Sequence, residues 1–176
     1  MAGLALTWNQ ELACFDFALR SDERGTDFLG DDGLLSAMII SLFTDARAAE
    51  DDPLPDERVG VPSDLRGWWG DELDPEVAGF SLGSRLWLLW REKDLDIVVA
   101  RAEAYAREAL DWLTTPRARH LRVSRLAVSA LRVSPGYLGI RVAALRPTHT
   151  GERAEEWNFV YDYENAKPVS INTLGV

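Results

Sequence analysis

Nucleophilic catalysis requires a cysteine or serine within reach of a base. The 176-residue sequence supplies one cysteine, Cys14, and two histidines, His120 and His149. His120 falls near a helix–strand junction beside Arg119 and Arg122, and His149 falls in a polar stretch. Both read as solvated side chains near turns. No serine stands in a G-x-S-x-G elbow. Carboxylates are more plentiful, with Asp71, Glu72, Asp74 and Glu76 close together. Glycoside hydrolysis needs two of them roughly 5–10 Å apart across a cleft, one with its pKa raised. In a Pro-rich stretch they read first as solvated, and a cell-wall glycan hydrolase built on them is the enzymatic alternative. A lone cysteine excludes an internal disulfide framework and Cys-rich metal sites, and two histidines leave little for zinc. Asp31–Asp32–Gly33 is too short for an EF-hand loop. Neither a Walker motif nor a G-x-G-x-x-G after a strand is present. The sequence therefore assigns no catalytic residue, metal or cofactor.

Its densest chemistry is of another kind. Residues 46–79 carry Pro53, Pro55, Pro62 and Pro75 with clustered acids, and embed Arg66–Gly67–Trp68–Trp69–Gly70–Asp71. A long connection without regular structure is commonly functional or disordered. Adjacent tryptophans are a large apolar payload that must pack on something. They either contact a partner or fold back on their own core, and Arg66 and Asp71 could equally pair locally. Only Lys93 and Lys167 among the 19 basic residues are lysine, and there are seven tryptophans. This bias fits a GC-rich genome or a surface built for contact, since Arg and Trp are enriched in interface hot spots. The net charge of −10 and pI near 4.7 disfavour nucleic acid as a partner. No segment approaches the roughly 18 apolar residues of a membrane span. The first twelve residues lack a secretory pattern, which predicts a protein that stays in the cytosol unless it leaves inside a larger assembly.

The elements that must position these residues follow from periodicity. Phe15, Phe17 and Leu19 alternate as in a short half-buried strand, within an N-terminal strand-like segment over residues 1–30. Residues 34–43 are almost continuously apolar and predict a buried helix capped by Asp31 or Asp32, with a buried strand as the rival. Another apolar run covers residues 84–90. Leu95, Val98, Val99, Ala102, Ala106, Ala109, Leu110 and Leu113 repeat at helical spacing. They predict a helix of about 20 residues, roughly 30 Å long, between Asp94 as N-cap and Pro116 as stop. Glu103 and Arg107 stand at a favourable four-residue spacing. Residues 119–133 read as a strand whose phase changes near Arg125–Leu126, predicting a β-bulge there. Ser134–Pro135–Gly136 signals a turn, after which Leu138, Ile140, Val142 and Ala144 share one face. Residues 146–156 read as a polar loop, Trp157, Phe159, Tyr161 and Tyr163 as a third strand, and residues 165–176 as a loosely held tail. The pattern is an α+β domain over residues 31–164, its long helix on an antiparallel meander and its interaction loop at residues 46–83.

Three motifs in order carry a family resemblance. They are Ile40–Ser41–Leu42–Phe43–Thr44–Asp45, the segment from Asp64 through Arg66–Gly67–Trp68–Trp69–Gly70–Asp71, and Gly83–Ser84–Arg85–Leu86–Trp87–Leu88–Leu89. Together they resemble the Mu-like contractile-tail phage baseplate proteins, distant members of the baseplate wedge or sheath-initiator superfamily. The resemblance covers roughly residues 30–165, and its specific part is the paired-tryptophan segment. The wider superfamily carries a Glu-Pro-Arg triplet between long helix and sheet. Here Thr115–Pro116–Arg117 stands in its place, so the contact made by that glutamate does not carry over. The resemblance implies a structural virion component, made in the host cytoplasm and present in several copies around the tail tube. Implied partners are other wedge subunits, the tube or hub protein and the sheath protein, with no nucleic acid and no membrane. Arg66, Trp68, Trp69, Asp71 and Arg117 are the candidate partner-binding residues. The lysozyme label carried by some members finds no support in these residues. A free-standing cytosolic binding module is a further alternative.

Overall fold

The computed structural model of the chain describes residues 3–174 apart from 10, 13, 24, 29, 32, 56–63, 73–80, 91 and 93–94. Among the described residues the N-terminal segment holds six short strands: Gly3–Leu4 (β1), Leu6–Asn9 (β2), Cys14–Phe17 (β3), Leu19–Asp22 (β4), Gly25–Phe28 (β5) and Gly30–Asp31 (β6). They pair as three two-stranded ribbons, β1 with β6, β2 with β3 and β4 with β5. The alternation around Phe15 thus belongs to two strands broken at Ala18, whose N–H donates to the Ala5 carbonyl at 2.8 Å. Phe15 stacks on Phe43 at 5.6 Å, which fixes the β2–β3 ribbon to the core. Phe17 and Leu19 stay exposed.

The apolar run forms the helix Leu34–Phe43 (α1), with Leu34, Met38, Ile39, Ser41 and Leu42 buried. Its N-cap is neither Asp31 nor Asp32. Asp31 belongs to β6 and Asp32 lies outside the described residues, while Gly33 occupies the cap at φ 84° with no side-chain cap bond. A left-handed backbone there favours glycine over a capping carboxylate. A single turn of 3₁₀ helix, Leu86–Leu89, buries all four of its side chains.

The long helix, Leu95–Leu110 (α2), tightens into a 3₁₀ turn over Asp111–Thr114, so the helical path matches the expected length. The predicted cap Asp94 lies outside the described residues. Val98, Ala102, Ala106, Leu110 and Leu113 form its buried stripe. Arg107 donates to Glu103 at 2.6 Å across the expected turn. The stripe lies on a four-stranded antiparallel sheet built from Arg125–Ser134 (β7), Tyr137–Thr148 (β8), Gly151–Asp162 (β9) and Lys167–Leu174 (β10). The strands run in the order β10-β9-β8-β7. Leu138, Ile140, Val142, Ala144, Trp157, Phe159 and Tyr161 form the buried face of β8 and β9, as their alternation predicts.

The sheet corrects several expectations. Residues 119–124 precede the first strand as turn and coil, with Arg122 at φ 58°. The phase change at Arg125 therefore marks where β7 begins, and the register shift falls instead between Arg132 and Ser134. The expected polar loop over residues 146–156 is a tight hairpin, with Thr148 opposite Gly151 and Arg146 opposite Arg153. Charged residues can continue a ladder by pairing across it, and the largely covered Arg146 and Glu155 side chains pair there at 3.3 Å. The expected loose tail is the edge strand β10, with Ile171 packed against the core. Its Pro168 stands at a register shift, where a missing N–H is tolerated.

Candidate functional site

The two ends of the interaction loop are held by backbone contacts. Ser84 donates its N–H to the Thr44 carbonyl at 2.9 Å and accepts the Ala46 N–H at 2.9 Å. Gly83 makes this approach possible: at φ 107°, a Cβ would lie 2.4 Å from the Thr44 carbonyl oxygen. The buried Ser84 hydroxyl donates to the Leu42 carbonyl at 2.6 Å. Trp87, buried in the turn just beyond, donates its indole N–H to the Ala46 carbonyl at 2.9 Å. A strand-like contact from Ala48 N–H to the Leu65 carbonyl then brings the tryptophan segment alongside.

Arg66 is the hinge of that segment. Its backbone sits at φ 52°, outside the range most side chains favour. Three contacts hold it there. Its N–H donates to Asp64 Oδ1 at 2.8 Å, its Nη1 to Asp45 Oδ2 at 2.7 Å, and its guanidinium carbon lies 4.4 Å from the centre of the Trp87 ring. At the other end, Asp71 accepts the Ser81 hydroxyl at 2.8 Å and the Leu82 N–H at 3.1 Å. Arg66 and Asp71 thus find other partners instead of pairing with each other. Both oxygens of Asp71 act as a loop clamp. Asp74 and Glu76 lie outside the described residues.

Between these anchors the tryptophans face outward. Trp68 is 40% exposed and Trp69 73% exposed, their ring centres 5.6 Å apart. The Trp68 ring lies directly over Gly70, where a Cβ would come within 2.2 Å of it. Neither indole enters the core, so the fold-back alternative does not describe this segment.

Arg117 follows from a different element, the 3₁₀ turn Pro116–Ala118, with proline in the first turn. Thr115, just before it, turns its hydroxyl back to the Trp112 carbonyl at 2.7 Å. Arg117 lines a groove of about 640 Å³ together with Arg47, Ser81, Arg85 and Glu108. Arg47 packs against Gly67 and Ser81 holds Asp71, so the groove joins the Arg117 turn to the tryptophan segment. Trp68 and Trp69 do not line it.

Sequence reasoning missed the cation at its base. Arg85 pairs with Asp52 at 2.9 Å and with Glu108 at 2.5 Å, and lies 4.8 Å from the centre of the Tyr105 ring. Burial works to lower its pKa, but the Glu108 and Asp52 hydrogen bonds outweigh it and hold the guanidinium above its ordinary value. Its partners are 33 residues before it and 23 after it, so no local pattern marks them.

The residues first considered for nucleophilic chemistry stand on separate elements. Cys14 is exposed on β3, His120 exposed in the turn before β7, and His149 exposed at the β8–β9 turn. Among the described residues, no group of three or more His, Cys, Asp or Glu could hold a metal ion.

Comparison with known proteins places these features in context. A family model described as phage protein GP46 matches residues 34–151, a span that includes every candidate site residue. The chain is 41% identical over 147 residues to a protein named "Baseplate protein gp46" from Escherichia phage Mu, covering 84% of this chain and 89% of that one. It is 39% identical over 113 residues to "Mu-like prophage FluMu protein gp46" from Haemophilus influenzae, covering 64% of this chain and 67% of that one.

Proposed function

This chain belongs to the phage protein GP46 family, and from that premise we propose that it is a non-catalytic structural component of a phage tail baseplate. The finer reading is a wedge or inner-ring subunit that links tube or hub to wedge and initiates sheath assembly. Its site of action is then the virion tail, reached after synthesis in the host cytoplasm, with several copies around the tube. Arg66, Trp68, Trp69, Asp71 and Arg117 contact neighbouring wedge, tube or sheath subunits.

The observation that carries this reading is the pair of outward-facing indoles held on an anchored loop. Exposed Trp and Arg on a preordered backbone supply contact area at limited entropic cost. Asp45, Trp87, Ser81 and Leu82 provide that order before any partner arrives.

The double variant Trp68→Ala/Trp69→Ala should stay folded and soluble, while its recovery in purified tail particles falls about tenfold or more. Wild-type recovery would remove the tryptophans from the interface. Of the acidic-loop carboxylates on which the hydrolase alternative rests, Asp71 is engaged by Ser81 and Leu82. Purified protein should release no cell-wall glycan; turnover abolished by Asp71→Asn would overturn the structural reading.

A further inference from the structure

We infer that Glu103 and Arg107 together plug the open edge of the sheet, keeping β7 from pairing with β7 of a second copy of this chain. Neither residue belongs to the tryptophan segment.

β7 is an edge strand, paired with β8 on one side. Such a strand turns the N–H and C=O of every second residue outward, a template for another strand. At the centre of β7 these groups are taken by side chains of α2. Glu103 Oε2 accepts the Ala130 N–H at 3.3 Å, and Arg107 Nη2 donates to the Val128 carbonyl at 3.4 Å. Arg107 Nη2 also donates to Glu103 Oε1 at 2.6 Å, which closes the circuit. The two backbone groups straddle Ser129. They are the pair that one residue of an added parallel strand would satisfy with its own C=O and N–H. The ion pair thus stands in for a strand residue, although both side chains come from a helix. The ends of β7 are irregular: the Ser124 N–H and hydroxyl both go to the Leu145 carbonyl, and the register shifts between Arg132 and Ser134. The plug sits on the regular stretch between them. The opposite edge strand, β10, is blunted differently, by Pro168 and its register shift.

The sequence of β7 identifies the strand being kept out. Two copies running antiparallel about Ser129 would set Val128 opposite Ala130, both with outward backbone groups, and Leu131 opposite Ala127. Arg125 would then face Val133, and Arg132 would face Leu126, so no like charges stand directly opposite. Leu131 and Val133, 51% and 55% exposed, would each gain a cross-strand neighbour. This contact is the same on both copies and closes as a dimer. Without the plug, β7 matches itself.

Sedimentation velocity of the full chain tests this with two variants. Glu103→Ala with Arg107→Ala removes the plug. Glu103→Arg with Arg107→Glu keeps an ion pair on the helix but sets a donor against the Ala130 N–H and an acceptor against the Val128 carbonyl. Wild type should sediment as a monomer, and both variants should dimerise at least about tenfold more tightly. Amide exchange at Leu126, Val128 and Ala130 should slow as the variants are concentrated. Neither side chain is buried, so thermal melts should move little. Variants that stay monomeric would overturn the inference, whatever their melting temperature. So would a wild type that already dimerises through β7, or variant dimers whose β7 amides exchange as fast as the monomer's. None of these outcomes bears on Trp68 and Trp69.

Discussion

Trp87 and the Trp68–Trp69 pair lie within 20 positions of one another in the chain and occupy opposite environments. Trp87 is 3% exposed, its indole N–H satisfied by the Ala46 carbonyl and its ring covered by Arg66. Trp68 and Trp69 present their rings to solvent, flanked by Gly67 and Gly70 where Trp87 is flanked by leucines. The two regions are nevertheless parts of one device. Arg66 lies over the buried indole and, through the same residue, sets the backbone that displays the exposed ones. One tryptophan is therefore buried as foundation and two are displayed at the surface. Aromatic content alone does not distinguish the two environments; the neighbouring residues and the burial of each ring do.

The sharpest way to break the comparison is at the foundation. Trp87→Ala removes a fully packed ring and a buried hydrogen bond, and should cost about 3–5 kcal/mol in chemical denaturation. It should also loosen residues 64–71, seen as faster amide exchange there than at β8 and β9. A loss below about 1 kcal/mol would mean that the burial of this ring contributes little to the fold.

The next effect concerns the backbone that joins the two regions. Gly83→Ala must place a Cβ against the Thr44 carbonyl while holding φ at 107°. The expected destabilisation is about 2 kcal/mol or more, from a strained left-handed backbone plus a displaced Ser84–Thr44 contact. Unchanged denaturation midpoints would show that the loop ends can separate without consequence to the core.

The sequence revealed these regions unequally, and the reasons are physical. The stripe on α2 and the alternation of β8 are legible because one face is buried at Val98, Ala102, Ala106 and Leu110 and at Leu138, Ile140, Val142 and Ala144. The β8–β9 hairpin is concealed because Arg146, Glu152, Arg153 and Glu155 replace apolar residues there, so hydrophobic alternation fades while pairing continues. Phe15, Phe17 and Leu19 share a period and so look like one strand, although Phe15 packs on Phe43 and Phe17 on Phe28. At the site, the Arg-Gly-Trp-Trp-Gly-Asp string marked the correct segment without giving the direction of its rings. Direction depends on Asp45 and Trp87, each about 20 residues away, and on Ser81 clamping Asp71. Contacts at such separation leave no periodic trace.

The smallest expected effect on stability is the most informative about display. Trp69 is 73% exposed and meets the Trp68 ring at 5.6 Å, so Trp69→Ala gives up little packing. Its removal should change unfolding free energy by no more than about 0.5 kcal/mol, as for surface positions generally. The same variant should lower the fraction of tryptophan fluorescence quenched by acrylamide, because the chain's most open indole is gone while Trp87 remains shielded. A destabilisation approaching that of Trp87→Ala would show the ring to be covered in solution, and foundation and display would then be one packed cluster. Unchanged stability with reduced quenching keeps them separate: the ring contributes little to its own fold and stands open to solvent.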